Sequence, residues 1–490
     1  MKELGYLLFG TYVLLTLWLL ANAIIQLHLW RLSKKKTLPD HRLNNGPLPF
    51  VSVQVPVYNE KYVVEGLLDC LANFDYPKEL YEVLVLDDST DETVHLVDQK
   101  VASLKEKGLA IQVYRRTVRH GYKAGALQES LPFCKGSLVA IFDADFRPHP
   151  DYLNRLVPYL NDQEVGLVQA RWTHINKDQN ALTRIQSYLL DTYFSVEVAG
   201  RSKAGYFTNF CGTAGIWKKA CIEDAGGWDS HILSEDLDIS FRAQLRNWKI
   251  VYAEDTTVPA ELPSEIEAFK IQQARWTKGI MQVLRKSGKA VLNSSLPATK
   301  KFHALFQLSG SFVFVCLFIN SFLSLPLLLL RHSYAEFITY TNFAAIGGFN
   351  LLFLTLVFYH GARAYNNEEQ FARYYPQFLV IYMGLSVQNT LAVLQGLAGH
   401  RSSFIRTPKY AANKAKTTSY FPRKNPGTHY YELAMFLYFL FSIALSFYLQ
   451  DYFFLLLFVM MSCGLGFIVY HSFSWRIARW SFSWPKISWR

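Results

Sequence analysis

Three groups of carboxylates and one mixed polar block are the residues of this sequence whose types and spacing can do chemistry. They are Asp87-Asp88, Asp143-Ala144-Asp145, Asp236 and, after 35 intervening residues, Gln272-Gln273-Ala274-Arg275-Trp276. Asp143 and Asp145 are separated by one small residue, so on a continuing strand both side chains face the same way. Two hard oxygen ligands on one side suit Mg2+ or Mn2+, with a diphosphate completing the shell. Such a metal neutralises a departing nucleoside diphosphate. Asp236 is then the carboxylate left to take a proton from an acceptor hydroxyl. Gln272, Arg275 and Trp276 lie at i, i+3 and i+4 and share one helical face; an indole offers a platform for a sugar ring, and a guanidinium steadies a diphosphate. Each piece taken alone has a plainer reading. Asp pairs sit in turns and cap helices, Ser234 with Glu235 or Asp236 makes an ordinary helix start, and an Arg–Trp pair packs against neighbouring helices. The ordered set is what argues for a site.

The elements that must position these residues read as an α/β domain. Val51–Val57 alternates like a strand, Val83–Leu86 is a buried strand running into Asp87-Asp88-Ser89, and Ile111–Tyr114 follows. Leu138–Phe142 runs into Asp143, and Val165–Ala170 is another strand. Short apolar strands alternating with helices indicate a mostly parallel sheet, in which ligands bind beyond the carboxyl ends of the strands. Both acidic clusters fall on that rim. Asp87 is placed to reach a ribose or base, with Asp88 the alternative cap of a helix beginning near Asp91. Lys123, in His120-Gly-Tyr-Lys-Ala-Gly125, stands at a helix start beside glycines, where the positive end of the helix suits a phosphate or nucleotide.

Hydrophobicity is distributed unevenly along the 490 residues, 51% of which are hydrophobic and 16% aromatic. Gly5–Leu27 is an apolar run of the length that crosses a hydrocarbon core, about 20 residues, and it ends in Arg31, Lys34, Lys35 and Lys36, as an uncleaved anchor does. Further runs are Leu305–Leu330, Phe343–Ala362, Leu433–Leu449 and Phe453–Tyr470; none lies between Pro49 and about Lys289. Basic stretches at 31–42, 401–424 and 476–490 mark one, cytoplasmic, side. Parity then gives five spans if Phe378–His400 does not cross. Its Ser386, Gln388, Asn389, Thr390 and Gln395 read as an amphipathic helix lying in the interface, as does 366–377; six spans would put the basic loop outside. The net charge of +11 is met by anionic headgroups and a donor diphosphate and needs no nucleic acid. Cys70, Cys134, Cys211, Cys221, Cys316 and Cys463 show no C-x-x-C spacing, and free thiols are expected in a reducing cytosol. The expected organisation is a membrane helix at 1–30, a basic linker at 31–48, a soluble domain at 49–290, two spans within 300–365, interfacial helices at 366–400, a basic loop at 401–428, two spans within 429–472 and a basic aromatic tail at 473–490.

Several blocks together resemble the inverting, membrane-embedded glycosyltransferases of family 2, which include cellulose, chitin and hyaluronan synthases. The likeness is strongest to the cellulose-synthase-like A and C branches, the mannan, glucomannan and glucan synthases, and their bacterial relatives. It rests on Gln54-Val-Pro-Val-Tyr-Asn-Glu60, Val85-Leu-Asp-Asp-Ser-Thr-Asp91, Gly121-Tyr-Lys-Ala-Gly-Ala126, Val139-Ala-Ile-Phe-Asp-Ala-Asp-Phe146, Leu167-Val-Gln-Ala-Arg-Trp172, Gly212-Thr-Ala-Gly-Ile-Trp217 and Glu261-Leu-Pro-Ser264, and covers Val51 to Arg285. It implies a GT-A-like, Rossmann-like cytosolic domain embedded in an α-helical multi-pass membrane domain. It implies that Tyr58, Glu60, Asp87, Lys123, Asp143, Asp145 and Arg275 bind the nucleotide sugar, with Asp143 and Asp145 on the Mg2+ or Mn2+. Ser234-Glu235-Asp236 resembles a T-E-D block, which makes Asp236 the general base. Phe210, Cys211, Gly212 and Thr213, with Gln272 and Trp276, correspond to acceptor-lining positions; the plant A branch usually has Asn where this chain has Cys211, a departure that weakens the transfer of mannose specificity. Phe404-Ile-Arg-Thr-Pro-Lys409 looks like the F-x-V-T-x-K gating loop of processive synthases, with Phe404, Thr407 and Lys409 matching and Arg406 in place of Val. A basic tether to lipid headgroups is the alternative for that stretch.

The expected function is an inverting synthase that elongates a β-linked polysaccharide from a UDP-glucose or GDP-mannose type donor and passes it through its membrane helices. The alternative is transfer of one sugar to a membrane lipid, as in the ceramide glucosyltransferase family, which also carries a Q-x-x-R-W-like block. A transporter or channel needs ionisable residues within the spans, and the runs contain almost none. The expected partners are the nucleotide sugar, the growing glycan and membrane lipids, in a bacterial inner membrane or the Golgi.

Overall fold

The computed structural model describes residues 2–35, 47–400, 402, 409 and 428–482. Seven strands form one mixed sheet: β1 (Val51–Val57), β2 (Tyr81–Asp87), β3 (Ile111–Tyr114), β4 (Leu138–Ile141), β5 (Val165–His174), β6 (Gly215–Lys218) and β7 (Lys249–Ala260), in the spatial order β3-β2-β1-β4-β6-β5-β7. β1 to β4 are mutually parallel, so their carboxyl ends share one edge. The side-chain period of two divides the core between the faces. Val51, Val53, Val55, Val83, Val85 and Ala140 pack on one side, and Leu84, Leu86, Val139 and Ile141 on the other. With both faces covered, these strands read as nearly continuous apolar runs.

β6 runs antiparallel between β4 and β5, and β5 pairs in parallel with β7. Neither β6 nor β7 stands out in the sequence. β6 has only four residues, and the pairing of β5 with β7 breaks register at Ala170/Arg171, where Glu254 and Asp255 interrupt the alternation of β7.

Among the described residues four helices are long and apolar enough to cross a membrane: Lys2–Ser33, Phe312–Ser333, His429–Leu449 and Leu455–Ser472. The fifth expected span, Phe343–Ala362, is not one helix. It is broken into Ala335–Ala344, a 3-10 turn at Ala345–Gly347 and Gly348–Arg363; the last, at 16 residues, rises about 24 Å, short of a hydrocarbon core of about 30 Å. Adjacent Gly347 and Gly348 account for the break. The two pieces nevertheless track the first helix along its length. Lys2 pairs with Glu336 at 3.2 Å at one end, and the Trp30 and His360 rings stack at 4.3 Å at the other. Phe312–Ser333 runs the opposite way beside the same helix, with Asn320 donating to Thr16 Oγ1 at 2.9 Å.

Residues 366–400 also differ from expectation. Phe371–Gly384 and Ser386–Leu397 meet at 50° and together are long and apolar enough for a broken span or a re-entrant loop. Ser386, Gln388, Asn389 and Thr390 are buried against protein instead of forming an exposed polar face. Gln388 donates to the Lys270 carbonyl at 2.7 Å and Thr390 to the Phe314 carbonyl at 3.2 Å.

Candidate active site

A cavity opens at the carboxyl edge of the sheet and gathers residues far apart in the chain, from Pro56 to Lys409. Asp143 and Asp145 both line it, though not as a continuing strand. β4 ends at Ile141, and the chain turns so that the Phe146 N–H donates to the Asp143 carbonyl at 3.0 Å. The turn, and not the strand period, brings both carboxylates to the cavity. The Asp143 backbone N–H donates to Thr213 Oγ1 at 2.9 Å. Its carboxylate accepts from Lys123 Nζ at 2.5 Å, and Lys123 also donates to the Gly212 carbonyl at 2.8 Å. Asp145 accepts the Glu261 N–H at 3.2 Å and Lys409 Nζ at 2.8 Å. Each carboxylate of the pair therefore faces an ammonium. Among the described residues no group of three or more His, Cys, Asp or Glu is placed to hold a metal. The pair offers two hard oxygen ligands, which fits Mg2+ or Mn2+ when a diphosphate supplies further oxygens.

The opposite wall comes from two helices, Glu235–Leu245 and Ile266–Asn293. Ser234 stands at the N-cap of the first, yet its hydroxyl makes no capping bond; the Leu237 N–H donates to Asp236 Oδ1 at 2.8 Å instead. Ser234 packs against the second helix at Gly279, where a Cβ would lie 2.0 Å from Ser234 Oγ. That close approach sets Glu235 and Asp236 beside Arg275. Gly212 (φ +84°) brings a third backbone to the same point: a Cβ there would be 3.1 Å from Asp236 Oδ2.

Burial raises both carboxyls above the ordinary carboxylate range. For Glu235 the negative charge of Asp236 adds to burial, and Lys123 and Arg275 oppose the rise. For Asp236 burial is opposed by the Leu237 N–H, Lys123 and Arg275. Burial in turn lowers Arg275, against the pull of Glu235, Asp236 and Asp143. A buried carboxylate whose proton affinity is raised, next to cations that keep it ionisable, is suited to accept a proton.

Of the residues singled out in the sequence, Tyr58, Glu60, Lys123, Asp143, Asp145, Cys211, Gly212, Asp236, Gln272, Arg275, Trp276 and Lys409 line this cavity. Asp87 does not. It is fully buried, bound to Arg115 at 2.8 Å, and accepts the Ser89 N–H. Asp88 is the member that faces the cavity, and it pairs with Arg116 at 2.6 Å; the nearby helix start uses Asp91, which accepts the Thr93 N–H. Phe210 lies in the core against Trp217 and Trp228, not along an acceptor path. Thr213 is buried too and acts on the site only by holding the Asp143 N–H. Phe404 and Thr407 fall outside the described residues.

The cavity also contains Trp172 and Glu261, from blocks that carry the resemblance without an assigned role, and Arg119, which stands in none of those blocks. The Arg119 guanidinium lies flat over the Tyr58 ring, 3.5 Å from its centroid, a cation–π contact. The only sequence signal for it was the basic run Arg115-Arg116-Thr117-Val118-Arg119 following β3.

Comparison with known proteins gives a family and a fold for the domain that carries this cavity. Residues 48–279 match the family described as "Glycosyltransferase like family 2". "Probable glucomannan 4-beta-mannosyltransferase 3" of Oryza sativa subsp. japonica is 42% identical over 273 residues, covering 54% of this chain and 49% of that protein. "Glucomannan 4-beta-mannosyltransferase 1" of the same organism is 37% identical over 304 residues, covering 59% of this chain and 58% of that protein. The chain thus spans about half the length of these curated relatives. Among solved structures, the mannosyltransferase PcManGT from Pyrobaculum calidifontis, in complex with GDP-Man and Mn2+, matches with a TM-score of 0.53 at 24% identity, covering 74% of this chain and 98% of that one; this is a likeness of fold. Residues 48–279, with the cavity at the carboxyl edge of their sheet, are a glycosyltransferase family 2 domain.

Proposed function

We propose that the chain is a membrane-embedded inverting glycosyltransferase that uses a nucleotide sugar to elongate a β-linked polysaccharide. One observation carries this reading: a single cavity brings the Asp143/Asp145 pair, the Glu235–Asp236 helix start and the Gln272/Arg275/Trp276 face together. Asp143 and Asp145 would hold Mg2+ or Mn2+, which supplies charge neutralisation for the leaving diphosphate. The acceptor oxygen attacks the anomeric carbon, the bond from that carbon to the diphosphate oxygen breaks with its electron pair, and the hydroxyl proton passes to Asp236. Arg275 and Lys123 face the negative charge of the site, and the Trp276 indole offers a flat apolar surface to a sugar ring. The relatives' names favour mannose as the transferred sugar, and Cys211 makes the donor a question for direct measurement.

The catalytic domain lies on the side where the first helix ends in Arg31 and Lys34, which the charge rule makes cytoplasmic. The test is release of nucleoside diphosphate by the lipid-reconstituted chain from a panel including GDP-mannose and UDP-glucose, with Mn2+ or with EDTA. The proposal expects metal-dependent release from one donor. Equal release in excess EDTA, or release from none of the panel, contradicts it.

A further inference from the structure

Two lysines of the Ile266–Asn293 helix do no chemistry in the reaction just described, yet both are committed to contacts beyond the glycosyltransferase domain. Lys270 is 3% exposed. Its ammonium lies 3.0 Å from Glu432, in the first turn of His429–Leu449, and donates to Ser472 Oγ in the last membrane helix at 3.1 Å. Ser472 in turn donates to Glu267, one turn before Lys270 on the same helix, at 2.9 Å. Glu432 and Ser472 are themselves buried. The Lys270 backbone carbonyl is held by Gln388 from the bent pair at 2.7 Å. Two turns on, Lys278 donates to Gln395 at 3.2 Å and to Ser402.

Lys270 and Lys278 are eight residues apart, about 12 Å along the axis, and they bracket Gln272, Arg275 and Trp276. Ser402 lies beside Lys278, and Glu432 beside Lys270. A buried ion pair adds little net stability over an apolar pair of similar volume. What it does enforce is one relative placement, because any slip leaves a buried charge unpaired. A helix packed only by apolar side chains can rotate by a few degrees at small cost; one held at two points eight residues apart by buried lysines cannot.

We propose that Lys270 and Lys278 are positioning residues. By binding Glu432 with Ser472, and Gln395 with Ser402, they fix the rotation of the 266–293 helix that turns Gln272, Arg275 and Trp276 into the cavity. They thereby couple the seating of the C-terminal membrane helices to the transfer step. The inference rests on the reaction proposed above. A misplacement of about 1 Å in a catalytic group can cost on the order of 10²-fold in rate, so a bolt remote from the chemistry acts on kcat.

The test uses the full chain in lipid and compares kcat per folded protein, binding of GDP and UDP, and the thermal midpoint. Lys270→Met with Glu432→Leu removes the charges of that pair while keeping an apolar fill, and leaves Glu267 its hydrogen bond from Ser472. Lys270→Glu with Glu432→Lys reverses the pair, and Lys278→Met probes the second bolt without a buried countercharge. The expected result is that the apolar double variant and Lys278→Met bind nucleotide as wild type does, with an unchanged midpoint, and lose about tenfold or more in kcat. Lys270→Arg and the reversed pair recover most of it. Wild-type kcat in the folded apolar variant, or in Lys278→Met if the double variant does not fold, overturns the inference. A wild-type chain that transfers no sugar overturns the underlying reaction instead, and the two failures are told apart by the wild-type control.

Discussion

Asp236 is singled out at the residue scale by what its neighbours are already doing. Asp143 and Asp145 each face a lysine and are the pair suited to the metal, whereas Asp236 accepts from its own helix and turns its second oxygen toward Gly212. Asp236→Asn preserves shape and hydrogen bonding and removes the basic oxygen. It is expected to lower kcat by about 10²–10⁴-fold with donor binding intact, measured as turnover beside a nucleotide titration. Loss of donor affinity with undiminished maximal turnover assigns Asp236 to binding and moves the base to Glu235. Asp143→Asn and Asp145→Asn are expected to abolish transfer while the protein still inserts and folds; full activity of either in EDTA removes the metal from the account.

The pH dependence follows from the same pair. Burial, and then the charge of Asp236, push Glu235 up to about 7, and burial raises Asp236. A raised carboxyl holds its proton to higher pH, and a general base works only when ionised, so the acid limb of kcat should lie above the ordinary carboxylate range. Because the two groups share their titration, Glu235→Gln should shift that acid limb to lower pH, read from kcat against pH. An unshifted limb contradicts the electrostatic coupling. None of this was readable from Ser234-Glu235-Asp236 as a string; which carboxylate is buried and which is paired depends on chain segments far apart in sequence. Asp87 and Asp88 make the same point, since adjacent residues on a strand end point to opposite sides and only packing decides which side is the cavity.

At the scale of elements, the site depends on one close approach. Gly279 lets the 266–293 helix lie against Ser234, and without it Asp236 and Arg275 are pushed apart. A Cβ 2.0 Å from the Ser234 hydroxyl oxygen and 3.0 Å from its backbone N cannot be absorbed by the side chain alone. Gly279→Ala is therefore expected to cost on the order of 10²-fold in kcat at a smaller loss in donor affinity; wild-type kinetics would show that the two helices are free to separate. The strands bearing the acidic clusters were legible because buried parallel strands are short apolar runs. β6 and β7 were not, because one is too short for a period and the other is interrupted by a break in register. The D-x-D pair was placed on the right edge of the sheet for the wrong geometric reason, a strand where the chain turns. The polar stripe 386–390 predicts a face in the membrane interface and instead meets protein, since periodicity reports that a helix has two faces and not what each face meets.

At the scale of the molecule, the long apolar helices and the sheet domain pack together. The first helix, Phe312–Ser333 and the broken 335–363 segment run side by side, and the last two helices hold the 266–293 helix through Lys270. The arrangement makes a topological prediction. Cysteines introduced at Lys35 and Ser295 should be labelled from the side of the catalytic domain, and ones at Glu3 and Tyr452 from the opposite side. Labelling of all four from one side would mean that the apolar helices do not cross.

The central claim, elongation of a β-linked glycan at this one cavity, is tested most directly by the product itself. Reconstituted wild-type chain is incubated with radiolabelled GDP-mannose or UDP-glucose and Mn2+, and the labelled product is sized and digested with linkage-specific β-glycanases. The account predicts a polymer that resists lipid extraction, is degraded by a β-specific glycanase and is absent with Asp236→Asn. A product of one sugar on an extractable lipid, or a chain cleaved only by α-specific enzymes, would contradict it.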